Sequence, residues 1–217
     1  MIGTRPWQGL HRLRYQIMAD DAMNHRQFVK LALAALLLLP GCSSPVETPP
    51  LAGAAIGGPF TLTDQDGKPV SDRDFVGKYR IIYFGYTYCP DVCPVDVQNL
   101  AAGLKQVEAS DPKLGARIVP IFISVDPVRD TPPVLKQFVR AFHPRMVGLT
   151  GTPQAIAAVA KEYAIFYQPQ AKTADGGYTV NHSRQAYLFS PDGKPLALLS
   201  QDGKPEVIAA EIRRWAR

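Results

Sequence analysis

From residue 60 onward the apolar positions alternate between the two-residue period of a strand and the 3.6-residue period of a helix. Residues 60–70 (FTLTDQDGKPV) hold two short β-prone runs around Asp66-Gly67, which predicts a hairpin. Residues 79–86 (YRIIYFGY) are rich in β-branched and aromatic side chains and predict a buried strand, as do residues 117–125 (RIVPIFISV). Between them, Val97, Leu100, Ala101, Leu104 and Val107 recur at helical spacing, predicting a helix over 93–110. Helices are also predicted over 131–142, opening on Thr-Pro-Pro, and over 152–163, with Thr152 as N-cap and Pro153 at the first helical position. Residues 178–188 and 196–200 predict two strands separated by a Pro191-Asp192-Gly193 turn, and 205–217 a terminal amphipathic helix.

Strand–helix–strand units require a parallel central sheet, because only a crossover helix returns the chain to the same end. The late hairpin adds antiparallel strands at an edge. The fold class this order predicts is α/β: a thioredoxin-like sandwich with a central mixed sheet and added hairpins, spanning residues 59–217.

The first 58 residues read differently. Arg26 and Lys30 precede an unbroken apolar run from Leu31 to Leu39, which ends at Pro40-Gly41-Cys42. Nine apolar residues fit the ~7–15 of a signal peptide and fall short of the ~20 needed to span a bilayer. Leu39, Gly41 and Cys42 resemble a bacterial lipobox, in which the cysteine becomes the lipidated first residue; Pro40 departs from the small residue usual there. Residues 1–41 are therefore expected to be a signal peptide, with Met23 a possible true start. Residues 42–58, rich in Pro, Gly, Ala and Ser, are expected to be a lipid anchor and flexible tether.

Charge and composition narrow the function classes. The formal net charge of the 217 residues is +5, but Arg5, Arg12, Arg14, Arg26 and Lys30 against Asp20 and Asp21 place most of it in the leader. What remains is interspersed, with no basic run, so no nucleic-acid partner is expected. A hydrophobic fraction of 46% is that of a globular chain, and three cysteines are too few for a disulfide-stapled scaffold. An odd count asks whether one cysteine has a separate task.

Cys89 and Cys93 sit in Tyr-Cys-Pro-Asp-Val-Cys-Pro, between a predicted strand and a predicted helix. Four-residue spacing brings both sulfurs to one side of the first helical turn, where unpaired N–H groups and the helix dipole stabilise thiolates. Such thiolates can exchange disulfides or bind soft metals, and two sulfurs alone do not choose between these. Two histidines follow the leader. His143, at a predicted helix end, is expected to complement the dipole; His182, at the start of a predicted strand, is either a structural group or a ligand. Two thiolates and an imidazole would suit copper, whereas structural zinc usually takes four Cys or His ligands. Asp126, Arg129 and Asp130 follow the 117–125 strand. Asp126 and Arg129 are expected to pair and Asp130 to cap or charge-complement the next helix, or the three form a second layer or docking surface beside the cysteines.

Tyr-Cys-Pro-Asp-Val-Cys-Pro at 88–94, Ser-Val-Asp-Pro-Val-Arg-Asp-Thr-Pro at 124–132 and Val-Asn-His-Ser-Arg-Gln-Ala-Tyr-Leu at 180–188 occur in the same order in the Sco/SenC family. The resemblance covers roughly residues 58–217. It implies a membrane-tethered, thioredoxin-fold copper chaperone that helps metallate the binuclear copper site of cytochrome c oxidase. Its ligands would be Cys89, Cys93 and His182, and its partner a copper-receiving oxidase subunit or its assembly factors. Many members carry a transmembrane helix; here lipidated Cys42 would hold a monomer on the periplasmic side of the bacterial inner membrane. The competing reading is a thiol–disulfide oxidoreductase using Cys89 and Cys93 as a redox pair without His182; a peroxide-reducing thiol enzyme is a weaker one.

Overall fold

The computed structural model describes residues 47–174 and 176–217. Cys42 and the expected signal peptide lie outside the described residues, and no helix among the described residues is long and apolar enough to cross a membrane.

The opening hairpin forms as predicted: β1 (Thr61–Asp64) pairs antiparallel with β2 (Pro69–Ser71), and Gly67 takes the left-handed conformation of the turn. A single 3₁₀ turn (Asp72–Phe75) leads to β3 (Tyr79–Gly85), all seven residues of which are buried. Ile81 and Ile82 point to opposite faces and are both sealed, so both faces of the strand are covered. Burial of an Ile, Leu or Phe side chain contributes about 1.5–3 kcal/mol, which makes this strand the energetic centre of the sheet.

The chain crosses through α1 (Val92–Ser110) and the short α2 (Pro112–Ala116) to β4 (Ile118–Ser124), which lies parallel to β3 from the Tyr79–Ile118 pair to the Gly85–Ser124 pair. A second crossover, α3 (Pro132–Phe142), leads to β5 (Val147–Thr150), parallel to β4. Thr131 precedes α3 without a side-chain cap bond, and Pro132 and Pro133 leave the first turn two amides fewer to satisfy. In α4 (Pro153–Glu162) the expected cap is made: Thr152 accepts from the Ala155 amide at 3.1 Å.

Two features differ from the sequence reading. The strand predicted over 178–188 is broken. Its first part, β7 (Val180–His182), pairs with β6 (Tyr167–Pro169) in a separate two-stranded ribbon. The second part, β8 (Ala186–Phe189), joins the main sheet between β3 and β9 (Pro195–Leu199). The main sheet therefore runs β2-β1-β5-β4-β3-β8-β9. Docked chain also begins before the expected boundary. The Leu51 amide donates to the Leu196 carbonyl, and the Gly57 amide to that of Glu162. Gly57 has φ +94°, and a Cβ there would stand 2.7 Å from Phe189 Cε1, so only glycine allows this approach.

The last helix, α5 (Pro205–Trp215), packs on α1, where Gly103 leaves room for Ile208. The loops after β3 and β4 emerge side by side at the carboxyl ends of parallel strands, where open α/β sheets place functional loops.

Candidate metal centre

The β3 strand ends at Gly85, and residues 86–91 turn into α1, with the Cys89 amide bonded back to the Tyr86 carbonyl at 3.3 Å. Asp91 precedes the helix but makes no side-chain cap bond, and the first turn holds no acidic residue. Sulfur takes the vacant role: the Cys93 amide donates to Cys89 Sγ at 3.5 Å. Cys89 is half-buried and Cys93 fully buried, and both are free thiols.

The two sulfurs differ in acidity. Burial pushes the Cys89 thiol up, but the amides of Cys93 and Asp91, with the Cys93 thiol and Tyr86 hydroxyl, outweigh it and hold Cys89 below its usual value. Burial dominates at Cys93 and pushes its thiol far up. The reduced pair thus holds a thiolate-prone outer sulfur over a protonated inner one.

The β6–β7 ribbon delivers the third donor. His182 Nε2 lies 3.1 Å from Cys93 Sγ, while Nδ1 faces the Ser183 carbonyl at 2.8 Å. A carbonyl only accepts, so Nδ1 carries the proton and Nε2 presents its lone pair to sulfur. Burial lowers the pKa of the ring and keeps it neutral. Tyr83 and Tyr86 meet the imidazole edge-on, with centroids 6.3 and 5.9 Å away. The donor atoms of Cys89, Cys93 and His182 all lie within 4.8 Å of one another. Two sulfurs and one imidazole nitrogen at this spacing fit a soft metal ion.

The other predicted residues surround this group. Asp126 and Arg129 form the expected ion pair, and Tyr178 donates to Asp126 at 2.7 Å. The Arg129 guanidinium lies 3.6 Å from the Tyr178 ring centroid and 5.0 Å from that of Tyr88, and donates to the Tyr178 carbonyl. This clasp ties the loop after β4 to both the cysteine loop and the ribbon. Asp130 does not cap α3. It is fully buried and accepts from the Thr87 amide at 3.0 Å, the Thr87 hydroxyl at 2.6 Å and the Ser124 hydroxyl at 2.6 Å. Its carboxylate turns instead to the cysteine loop, where the Thr87 amide and two hydroxyls meet it. His143 also departs from expectation. Its ring is buried, with Nδ1 accepting from the Arg145 amide and Nε2 facing Glu108, and burial lowers its pKa, so it opposes the dipole with no charge.

Sequence reasoning missed Tyr83, Asp96 and Arg184. Asp96 is fully buried and accepts from Tyr83 at 2.8 Å and from Arg184 at 2.7 and 3.0 Å. A signal existed for it: Asp96 falls on the helical stripe of Cys93, Val97, Leu100 and Leu104, where a carboxylate needs a partner.

The SCO1/SenC family model matches residues 48–217. The chain belongs to the SCO1/SenC family. It is 44% identical to Protein SenC of Rhodobacter capsulatus over 161 residues, 74% of this chain and 71% of that protein. The mitochondrial SCO1 homolog 1 of Arabidopsis thaliana is also 44% identical, over 175 residues. Those cover 79% of this chain but 51% of the plant protein, so the chain matches about half the length of that relative. Among solved structures, copper-bound ScoI of Bradyrhizobium japonicum superimposes with a TM-score of 0.67 at 40% identity, covering 74% of this chain and 99% of that one. Two further SCO1/SenC structures are 27% identical. A lipoprotein from Bacillus anthracis covers 79% of this chain and 99% of its own (TM-score 0.65). BsSco, described as one of the Sco family of cytochrome c oxidase assembly proteins, covers 77% and 95% (TM-score 0.58). The thioredoxin domain of a Bacteroides vulgatus thiol–disulfide oxidoreductase, 18% identical, covers 75% and 96% with a TM-score of 0.52, and places the SCO1/SenC domain among thioredoxin-like folds.

Proposed function

We propose that this SCO1/SenC protein is a copper carrier that helps metallate the binuclear copper site of cytochrome c oxidase, holding its cargo on Cys89, Cys93 and His182. The observation that carries the reading is the convergence of two sulfurs and the bare Nε2 of a neutral imidazole within 4.8 Å. Copper-bound structures of similar chains and the oxidase-assembly role ascribed to BsSco support it. Thiolates favour Cu(I), and the added nitrogen accommodates Cu(II). Loading displaces thiol protons, so affinity rises with pH.

The rest of the assignment follows the sequence. A lipid on Cys42 would tether a monomer to the periplasmic face of the bacterial inner membrane, and the partner would be the copper-receiving oxidase subunit or an assembly factor. Asp126, Arg129 and Asp130 would act as a supporting layer that holds the cysteine loop and the ribbon together. The similar lipoprotein of Bacillus anthracis supports the anchor.

The half-buried, thiolate-prone Cys89 favours a thiol–disulfide oxidoreductase, as does the disulfide switch ascribed to BsSco. That chemistry leaves the Cys93–His182 contact without a task. Copper titration into the reduced protein separates the readings. The carrier binds one copper ion per chain, with Cu(II) affinity and the sulfur-to-copper absorption band both lost in His182→Ala. A deletion strain should lose oxidase activity and recover it with the wild-type gene. Unchanged Cu(II) binding in His182→Ala, or catalytic disulfide turnover by the copper-free protein, would overturn the assignment.

A further inference from the structure

Residues 183–185 join the ribbon to the main sheet and belong to neither. His182 stands at the start of this link, so its position over the cysteines depends on what holds the link to the domain. Ser183 bonds only within the ribbon region, its amide donating to the Phe166 carbonyl at 2.8 Å and its hydroxyl oxygen accepting from the Phe166 amide at 3.0 Å. Arg184 reaches across to α1, where Nε and an Nη both bond the carboxylate of Asp96. Asp96 lies one helical turn after Cys93. Its carboxylate also accepts the Tyr83 hydroxyl, and the Tyr83 ring and Cys93 Sγ border the same space beside Gly85. One fully buried carboxylate therefore holds the histidine arm through Arg184 and the Tyr83 ring that borders the inner sulfur.

We propose that the Arg184–Asp96 ion pair is the positioning device of the copper site, setting the approach of His182 Nε2 to Cys93 Sγ. The inference rests on the copper-carrier reading and deepens it. A bidentate guanidinium–carboxylate pair fixes direction as well as distance, and groups that orient a ligand from behind are a recognised means of tuning metal sites. The sulfurs are set by α1 and by the loop after β3, which Asp130 and Arg129 hold, without help from Arg184. Loosening the latch therefore removes the nitrogen donor and leaves the sulfurs in place. The consequence is selective: Cu(II), which needs the imidazole, is weakened, and Cu(I), held by the sulfurs, is not.

The test uses Arg184→Ala, Arg184→Lys and the double variant Asp96→Asn/Arg184→Ala. The double variant frees the arm without stranding a buried charge, and so guards against a fold failure in the single truncation. Copper(I) affinity is read by competition with a chromophoric chelator, and Cu(II) by affinity and by the sulfur-to-copper band. Arg184→Ala and the double variant should lose about 10–100-fold in Cu(II) affinity, move the band toward that of His182→Ala, and keep Cu(I) affinity within about threefold. Arg184→Lys, with one point of contact in place of two, should recover part of the loss.

Metal-free protein gives an independent readout, the alkylation rate of each cysteine mapped by mass spectrometry. Cys93 should be protected in the wild type and faster in the variants, with Cys89 unchanged. Wild-type Cu(II) affinity and spectrum in the folded double variant would overturn the proposal, as would equal loss of both oxidation states. A wild-type protein that bound no copper would fail the carrier reading instead. The alkylation pattern would then still decide the latch, upheld by selective Cys93 exposure and overturned by its absence.

Discussion

Replacing Asp130 with Ala isolates what holds the cysteine loop. The carboxylate is the acceptor for the Ser124 hydroxyl and for the Thr87 amide and hydroxyl. Ser124 is fully buried and its oxygen already accepts from the Asp126 amide, so its proton has nowhere else to go. The Thr87 amide is similarly stranded, while its hydroxyl is near enough to the surface to turn to water. Two stranded donors at about 1–3 kcal/mol each, eased by partial rearrangement, give a loss of about 3 kcal/mol. For a domain of this size that lowers Tm by roughly 6–12 °C. Asp130→Asn keeps one acceptor oxygen and removes a buried charge, so its loss should be near 1 kcal/mol. Urea unfolding of the reduced, metal-free protein measures both. The pH dependence has a definite sign. Burial, opposed by the Ser124 and Thr87 hydrogen bonds, raises the Asp130 pKa above 3.8. The folded state thus holds this proton more tightly than the unfolded state does. The contribution is fully present below pH 3.8 and lost as pH rises through the folded pKa, and Asp130→Asn should remove that decline. A loss under about 1 kcal/mol in Asp130→Ala, or equal losses in the two variants, would refute the reasoning.

Gly85→Ala should destabilise the protein by about 1–3 kcal/mol, because overpacked sites strain their neighbours; its Cβ would meet Tyr83 Cε1 at 2.9 Å, Phe122 Cε2 at 3.0 Å and Cys93 Sγ at 3.2 Å. Unfolding curves read the loss, and a neutral result would show that the Tyr83 ring yields freely. Copper(I) loading near pH 9 should release fewer than two protons per ion, since Cys89 lies below its usual 9.0 and Cys93 well above it. Release should climb toward two as pH falls through the Cys89 pKa. Two protons at pH 9 in a weakly buffered titration would show the sulfurs to be equivalent.

The parts of this fold that local pattern controls were legible in the chain. The two crossovers to β4 and β5 rest on helices whose apolar stripes and prolines mark them plainly, and the turns at Gly67 and Gly193 carry their signals in the sequence. Long-range pairing was not legible. Residues 178–188 read as one strand because Tyr178, Thr179, Val180 and Tyr187 are β-prone and no Gly or Pro punctuates the polar stretch between them, and the break at 183–185 arises from competition. The first part finds β6, the second finds β3, and Arg184 is drawn to a carboxylate 88 positions away. The short β5 and β6 have too few residues to declare a period. Within the site, the cysteine pair announces itself by spacing at a helix start, but nothing near His182 distinguishes a ligand from a structural histidine. Only the resemblance raised it, and the long-range contacts of the ribbon and its link bring it to Cys93.

The two cysteines acquire opposite characters from one structural fact, the position of the helix boundary between them. Cys89 precedes the boundary, so its sulfur can turn back and receive the unpaired amides of the first turn. Cys93 lies within the helix, where its side chain follows the apolar stripe of Val97 and Leu100 into the core and lies beside the Tyr83 ring. A site with two equally exposed thiolates would be open to oxidation and to any passing metal. Burying the inner sulfur raises the cost of its thiolate, and that cost is recovered only when a cation arrives to neutralise it. The imidazole fits the same logic. Kept neutral by burial and oriented by the Ser183 carbonyl, it offers a lone pair without adding charge. The apo site is therefore closest to neutral when empty and most complementary to a soft cation when its inner proton leaves, which couples cargo binding to proton release through burial alone.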